Sequence, residues 1–508
     1  MPAKILMVQG TASSVGKSIM VTALCRILKQ DGRKVAPFKA QNMSLNSFVT
    51  RDGGEIGRAQ VVQAEAAGVE PTVEMNPILL KPEADYCSQV VVKGKPVGRV
   101  MATEYYSSRE QLWSVVTESL DKLLAQYDVV LIEGAGSPAE VNLKDRDLVN
   151  MRVALHCKAP VLLVADIDRG GVFASLVGTL ELLEPEERAL IRAFVINKFR
   201  GDLSLLEPGL KWLEERTGVP VAGVVPYYHD IHVAEEDSIS LEERRAMKAR
   251  SDYLLDIAVI GLPHISNFDD FDPLEQEQGV RLRYVEPGDE LGEPDLIIIP
   301  GTKSTMADLM YLKRIGLAQE IIEQAHRGKP VIGICGGYQM LGEMILDPEH
   351  VESAEYQAHG LGLLPVTTTF FPVKSTHQVR GCVIAGRGLL QEASGLPISG
   401  YEIHMGTTNG ANNVAPFRID ERSRKACQEF DGCLSADGNV LGTYLHGLFR
   451  NEAFRRSILC ELAARKEVVF HATGKVLSKE EQYDRLADWV RNSLDMELVY
   501  RMIGLKRS

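Results

Sequence analysis

Short, almost wholly apolar β-rich runs recur along this chain, with a helical pattern between most neighbouring pairs. In the first half they fall at residues 4–10, 34–39, 129–136, 160–168, 193–198 and 221–227. A strand that is apolar on both sides has to be covered on both sides. Strands that alternate with helices pair in parallel through helical crossovers, which places those covering helices. A second series follows at 256–262, 281–286, 295–302 and 330–335, then strand-like runs around 362–371, 378–385, 400–405 and 440–445. Between the two series, residues 234–252 are highly charged and hold no core-sized apolar run, the composition of a linker. At 508 residues the chain also exceeds the roughly 250–300 that one core ordinarily supports. The expected architecture is therefore α/β with two doubly wound domains, at 1–233 and 253–450, joined by the linker 234–252. A helical extension at 451–508 follows. There Ser478 and Glu481 can form a capping box, and Leu486, Trp489, Val490 and Leu494 share one helical face, a pattern that indicates packing.

Charge and cysteine usage narrow the function classes. The formal net charge of −13 argues against non-specific binding of nucleic acid or an anionic membrane, while leaving room for a local basic pocket. Eight cysteines are scattered without CxxC pairs, as expected of reduced thiols rather than of a disulfide framework or a structural zinc site. The first residues run straight into a strand pattern without a signal-peptide layout, and no apolar run approaches the roughly 20 residues of a membrane span. The expected location is cytoplasmic.

The first strand runs into Gly10-Thr-Ala-Ser-Ser-Val-Gly16-Lys17-Ser18 and then a helical pattern. Glycines at such a junction let backbone N–H groups wrap phosphate oxygens, Lys17 supplies charge to the β/γ-phosphates, and Ser18 offers a hydroxyl to Mg²⁺. Five residues separate Gly10 from Gly16, one more than in the common phosphate loop. Glu133, at the C-terminal end of an apolar strand, stands where α/β proteins bind ligands and is the expected Mg²⁺ partner. Asp128, at the start of that strand, reads as an edge cap. Lys39 ends the second strand, either as a solvated charge or as a contact to phosphate or substrate. Asn197 ends another strand, where it could bond a nucleotide base or shape a turn. Asp166 and Asp168 end a further strand without a defined role. His229 and His232 suggest a metal pair, but no third ligand lies nearby, so a domain-junction role is favoured.

In the second half, the run Pro330-Val331-Ile332 leads into Gly333-Ile334-Cys335-Gly336-Gly337-Tyr338-Gln339. A cysteine set between glycines where a strand gives way to a helix is expected on a sharp turn, its thiol activated at the helix start and beside N–H groups that can receive an oxyanion. Such a nucleophile needs a base. His446, which follows a strand and precedes Gly447, is the best placed.

Taken together, these segments resemble known families. GTASSVGKS with its extra residue, the lysine after strand two and LIEGAG after strand three resemble the dethiobiotin-synthetase-like branch of P-loop ATPases, in which ATP activates a carboxylate or carbamate for attack by nitrogen. That family's acidic metal ligand would fall on Glu55. The elbow and histidine resemble the class I glutamine amidotransferases, implying that Cys335 attacks the glutamine amide. His446 would shuttle the proton, and the oxyanion would be held by Gly336 together with the Gly301-Thr302 loop. Many such enzymes carry His-x-Glu, but residue 448 is Leu, which points to the cobyrinic/cobyric branch. His404, in that branch's GYEIHMG motif, reads as a substrate-pocket or structural residue. Across nearly the whole chain, PFKAQNMSLNS, EIGRAQ, NPILLKP, IEGAGSPAEVNL and DIDRGGVFAS resemble the cobyric acid synthase family. This resemblance implies ATP and Mg²⁺ as cofactors, and glutamine and adenosylcobyrinic a,c-diamide, a corrinoid polyanion, as substrates. Lys39, Arg51, Arg58 and Lys81 are then expected as pocket charges. The alternatives are an a,c-diamide synthase, a CTP synthase and a non-catalytic P-loop regulatory or corrinoid-binding protein. The PFKAQNMSLNS segment speaks against the first, the missing His-x-Glu against the second, and intact Cys335 and His446 against the third.

Overall fold

The computed structural model describes residues 3–84, 87–101, 109–228, 253–410, 415–470 and 477–506. The linker 234–252 and the pair His229 and His232 lie outside the described residues. The chain divides into two compact units. The first comprises Met1–Ser44, Glu55–Ser240 and Leu477–Ser508, and the second Leu45–Gly54 and Leu241–Val476.

In the first unit, six strands form one parallel sheet: β1 (Lys4–Gly10), β2 (Val35–Phe38), β3 (Val129–Glu133), β4 (Val161–Asp166), β5 (Ile191–Phe199) and β6 (Val221–Pro226), in the order β6-β5-β4-β1-β3-β2. Each lies within or across one of the six apolar runs read from the sequence. Side chains that alternate along a strand go to opposite faces, so one run feeds two cores. Leu6, Val8, Val129 and Leu131 join the core beneath helix α1 (Lys17–Gln30). Met7, Val130 and Ile132 join the other, with Leu120 of the helix Arg109–Gln126 and Leu176 of Val172–Leu182. A second, four-stranded sheet orders Gln41–Met43, Ile78–Ala84, Cys87–Val92 and Lys95–Met101, and its last three strands form an antiparallel meander.

The second unit repeats the parallel plan with β7 (Leu255–Ile260), β8 (Val280–Val285), β9 (Leu296–Ile299), β10 (Val331–Ile334), β11 (Cys433–Leu434) and β12 (Val440–Thr443), in the order β8-β7-β9-β10-β12-β11. Only the β11–β12 pair is antiparallel. Beside it, Thr367–Val383 pairs in antiparallel register with Pro397–Asn409, so that His377 faces Glu402 and Ser375 faces His404.

The division differs from the sequence boundaries in two places, each for a packing reason. In the tail, Phe454, Ile458 and Leu462 of the helix Glu452–Arg465 join the core of the second unit. The helices Lys479–Ser493 and Met496–Ile503 instead give Leu486, Val490, Val499 and Ile503 to the α1 side of the first unit's sheet. Residues 45–54 belong to the second unit because Val49 and Phe48 pack on Tyr401 and Ile403.

Candidate functional site

The phosphate loop of the first unit is held by its own sheet edge. Gly16 adopts φ +100°, and a Cβ there would stand 2.1 Å from the Asn197 side-chain amide, so only glycine fits. Asn197 Nδ2 donates to the Val15 carbonyl at 2.8 Å, tying the loop to the end of β5. Lys17, 7 % exposed, donates to the carbonyls of Ala12 (2.8 Å) and Gly136 (3.1 Å). Asp128 accepts from the Lys34 amide at 2.9 Å, the edge cap expected of it. Asp166 pairs with Lys198 at 3.2 Å and Asp168 with Arg200 at 3.0 Å.

Glu133 is the centre of this edge. Fully buried, it accepts at one oxygen from Ser18 Oγ (2.8 Å) and Lys39 Nζ (3.0 Å) and at the other from Gln63. Burial alone would raise its pKa. The Lys39 charge and the three hydrogen bonds outweigh that and hold the carboxyl below the usual range, so it is ionised. A hydroxyl and a carboxylate that share a cation are hard oxygen donors suited to Mg²⁺, so Ser18 and Glu133 fit that ion. Glu55, also fully buried, instead holds Lys81 at 2.6 Å. Lys39, Arg58 and Lys81 are at most 5 % exposed. The charge that sequence analysis assigned to a substrate pocket is thus matched within the protein at Lys39 and Lys81. Arg51 lies in the 45–54 segment of the second unit. Among the described residues, no group of three or more His, Cys, Asp or Glu side chains converges on a metal position, and no helix is long and apolar enough to cross a membrane.

In the second unit, β10 ends at Cys335, whose backbone stands at φ +52°, ψ −107° before the short helix Gly336–Leu341. This is the strained turn that the flanking glycines imply. Gly337 is packed so closely that a Cβ would meet the Ile299 carbonyl at 2.0 Å. Cys335 is 7 % exposed, its amide donates to Thr443 at 2.8 Å, and its thiol points at the Ile403 carbonyl at 3.3 Å. The His446 ring interacts electrostatically with that thiol. Backbone hydrogen bonds in both directions fix it to Tyr401, whose ring stacks on the imidazole at 5.3 Å. The predicted oxyanion groups come to the same place. A Cβ on Gly301 would stand 2.8 Å from His446 Cε1, and one on Gly336 would stand 3.1 Å from the Thr302 nitrogen. His404 donates from Nδ1 to the Gly406 carbonyl at 2.7 Å, stacks on Tyr444 at 3.8 Å, and lines a cavity of about 830 Å³ with Tyr338, Glu402 and Arg422.

Comparison with known proteins agrees with both halves. Residues 6–241 match the CobQ/CobB/MinD/ParA nucleotide binding domain family, and residues 256–454 match the CobB/CobQ-like glutamine amidotransferase domain family. Over 520 residues the chain is 55% identical to a cobyric acid synthase of Sorangium cellulosum, covering 100% of both chains. It is 53% identical over 502 residues to one from Dehalococcoides mccartyi, covering 99% of each chain. The chain belongs to the cobyric acid synthase family. A third relative of that name, from Pelotomaculum thermopropionicum, is 54% identical over 515 residues and spans 99% of this chain and 97% of its own.

Within this member of the cobyric acid synthase family, sequence reasoning missed the surroundings of His446. Asp270 Oδ2 lies 2.7 Å from Nδ1, Asp270 Oδ1 accepts from the Gly447 amide at 2.8 Å, and Asn267 Nδ2 lies 3.5 Å from Nε2. Both side chains come from the loop after β7. The one signal for them is their position beyond the C-terminal end of a parallel strand, the edge at which α/β folds build sites. Gln63 was missed for a related reason: it sits inside a helix, Arg58–Ala67, whose pattern carries no mark of a site.

Proposed function

We propose that this chain is a glutamine-hydrolysing amide synthase that converts the b, d, e and g carboxylates of adenosylcobyrinic a,c-diamide to amides, one ATP per amide. What carries the reading is a conjunction in one chain of full-length likeness to cobyric acid synthases: an intact Cys335–His446 pair in one unit and a phosphate loop beside Glu133 in the other. In the glutaminase half, Cys335 Sγ attacks the side-chain amide carbon of glutamine. His446 takes the thiol proton and passes it to the departing ammonia, leaving a thioester that water hydrolyses to glutamate. The Gly336 and Thr302 N–H groups would receive the oxyanion, a contribution of about 3–4 kcal/mol for each such donor.

In the other half, a corrinoid carboxylate oxygen attacks the γ-phosphorus of ATP, ADP departs, and ammonia then displaces phosphate from the acyl phosphate to give the amide. Lys17 would hold the β/γ-phosphates. Lys39, anchored at the same edge, would face the transferring phosphoryl group, and Asn197 would keep the loop closed around the nucleotide. Ser18 and Glu133 would hold Mg²⁺, which when bound offsets charge on the phosphates. Glu55 pairs with Lys81 at 2.6 Å, and we assign it to holding the Lys81 side chain. The formation of four amides, rather than the two of an a,c-diamide synthase, follows the relatives.

The test is to incubate the protein with ATP, Mg²⁺, glutamine and candidate corrinoid diamides and to follow product mass. Four successive acid-to-amide shifts support the reading. ATP hydrolysis with no mass change on any corrinoid would sink it. Cys335→Ala protein should lose the glutamine-dependent reaction and keep amidation from free ammonia.

A further inference from the structure

We propose that Asp270 is the positioning residue of the glutaminase, the carboxylate that orients His446 in place of the acid missing at Leu448; this rests on the reading of Cys335 and His446 given above. The geometry settles which nitrogen is protonated. A carboxylate only accepts, so at 2.7 Å from Asp270 Oδ2 the imidazole donates from Nδ1 and leaves Nε2 free to take the thiol proton. When it does, the imidazolium forms beside an anion. Both partners are at most 2 % exposed, so water cannot substitute for either.

Asp270 is held from several directions. Its second oxygen takes the Gly447 amide, so one carboxylate spans both the ring and the backbone that follows it. It ends a single 3₁₀ turn, Phe268–Asp270, whose first amide donates to Asn46 Oδ1 at 3.3 Å, while Asn267 Oδ1 accepts from the Ser47 amide at 2.9 Å. The adjacent Asp269 is engaged by Arg450, so the two neighbouring acids are not interchangeable. Leu448 is 1 % exposed and part of the apolar core.

The titratable groups facing His446 are Asp270 from the 3₁₀ turn, Cys335 from the elbow and Tyr401 from the strand Pro397–Asn409. Burial of the ring works to lower its pKa, and Asp270 with Cys335 outweighs burial and pushes it up to about 10. Removing the carboxylate should therefore bring that pKa down and weaken the ring as an acceptor of the thiol proton.

The experiment compares wild type with Asp270→Asn and Asp270→Glu in three assays: glutamine hydrolysis, ammonia-dependent amidation, and the pH dependence of Cys335 alkylation by iodoacetamide. Asparagine can present an N–H to the ring and favour the wrong tautomer. We expect kcat for glutamine to fall about 10²- to 10⁴-fold, as when an orienting aspartate is made an amide elsewhere, with KM for glutamine changed less than about threefold. Alkylation at neutral pH should slow, and its pH profile should move. Ammonia-dependent amidation should persist, and Asp270→Glu should recover part of the glutaminase rate. Unchanged kcat and an unchanged alkylation profile in Asp270→Asn would overturn the proposal while leaving the glutaminase reading intact. Wild-type protein that never hydrolyses glutamine would overturn the reading itself. Should Asp270→Asn fail to fold, nitrogen-15 NMR of the histidines in wild type decides: a proton on His446 Nδ1 supports the assignment, and a bare Nδ1 overturns it.

Discussion

At Cys335 a strained backbone, and at Glu133 a fully buried carboxylate, persist only because the surrounding fold holds them. The left-handed φ of Cys335 costs of order 1–3 kcal/mol and persists because the glycines beside it are packed against Ile299 and Thr302. Glycine spacing makes that strain legible in the sequence. Glu133 is legible there as a strand-end acid, but its three partners are not, because Gln63 reaches it from a helix 70 residues away. Glu133→Gln removes an anion from beside the buried Lys39 ammonium, and breaking a pair of this kind costs about 3–5 kcal/mol. The variant should therefore melt lower at neutral pH and lose ATP-dependent amidation, while its glutamine hydrolysis is retained. The pH dependence follows from the sign of the shift. A carboxyl whose folded pKa is depressed contributes stability that is fully present above its unfolded value, about 4.3, and lost as pH falls through the folded one. The stability gap between wild type and Glu133→Gln should accordingly be full at pH 7 and close under strong acid, which thermal denaturation at several pH values would measure.

At the scale of elements, the parallel strands can be read directly because burial on both faces removes the alternation that would otherwise blur them. The meander Ile78–Ala84, Cys87–Val92 and Lys95–Met101 is not legible in this way, since its edge strand is mostly exposed and mixes Lys, Pro, Gly and Arg with valine. The helix Lys479–Ser493 is legible from its capping box and apolar stripe, and both are present: Ser478 accepts from the Glu481 amide, and the Glu481 side chain returns to the Ser478 amide. Its burial has a consequence that can be measured. Leu486 is fully buried, so Leu486→Ala should destabilise the protein by about 2–5 kcal/mol in urea denaturation, whereas Ser478→Ala should cost about 1 kcal/mol.

On the scale of the whole molecule, sequence order and structural membership part company. The last 32 residues, Leu477–Ser508, belong to the nucleotide-binding unit although they follow the glutaminase segment. A chain ending at residue 476 should therefore lose ATP-dependent amidation from ammonia and still hydrolyse glutamine; assaying both reactions on one preparation checks this. The sequence alone determined the two parallel sheets, the glycine loop after β1 and the glycine-flanked turn at Cys335. Each is written in local pattern: strand burial, glycine spacing and helix periodicity depend on neighbours within a few positions. Tertiary structure alone decided that Glu55 holds Lys81, that the tail completes the first unit's core, and that Asp270, 176 residues before His446, meets its ring. A run such as Asn267-Phe-Asp-Asp-Phe-Asp offers three acids with no local difference among them. Which one becomes the partner of the base is set by where the chain comes together, and the energy that fixes the choice, the attraction within a charge pair shielded from water, exists only once the fold has closed around it.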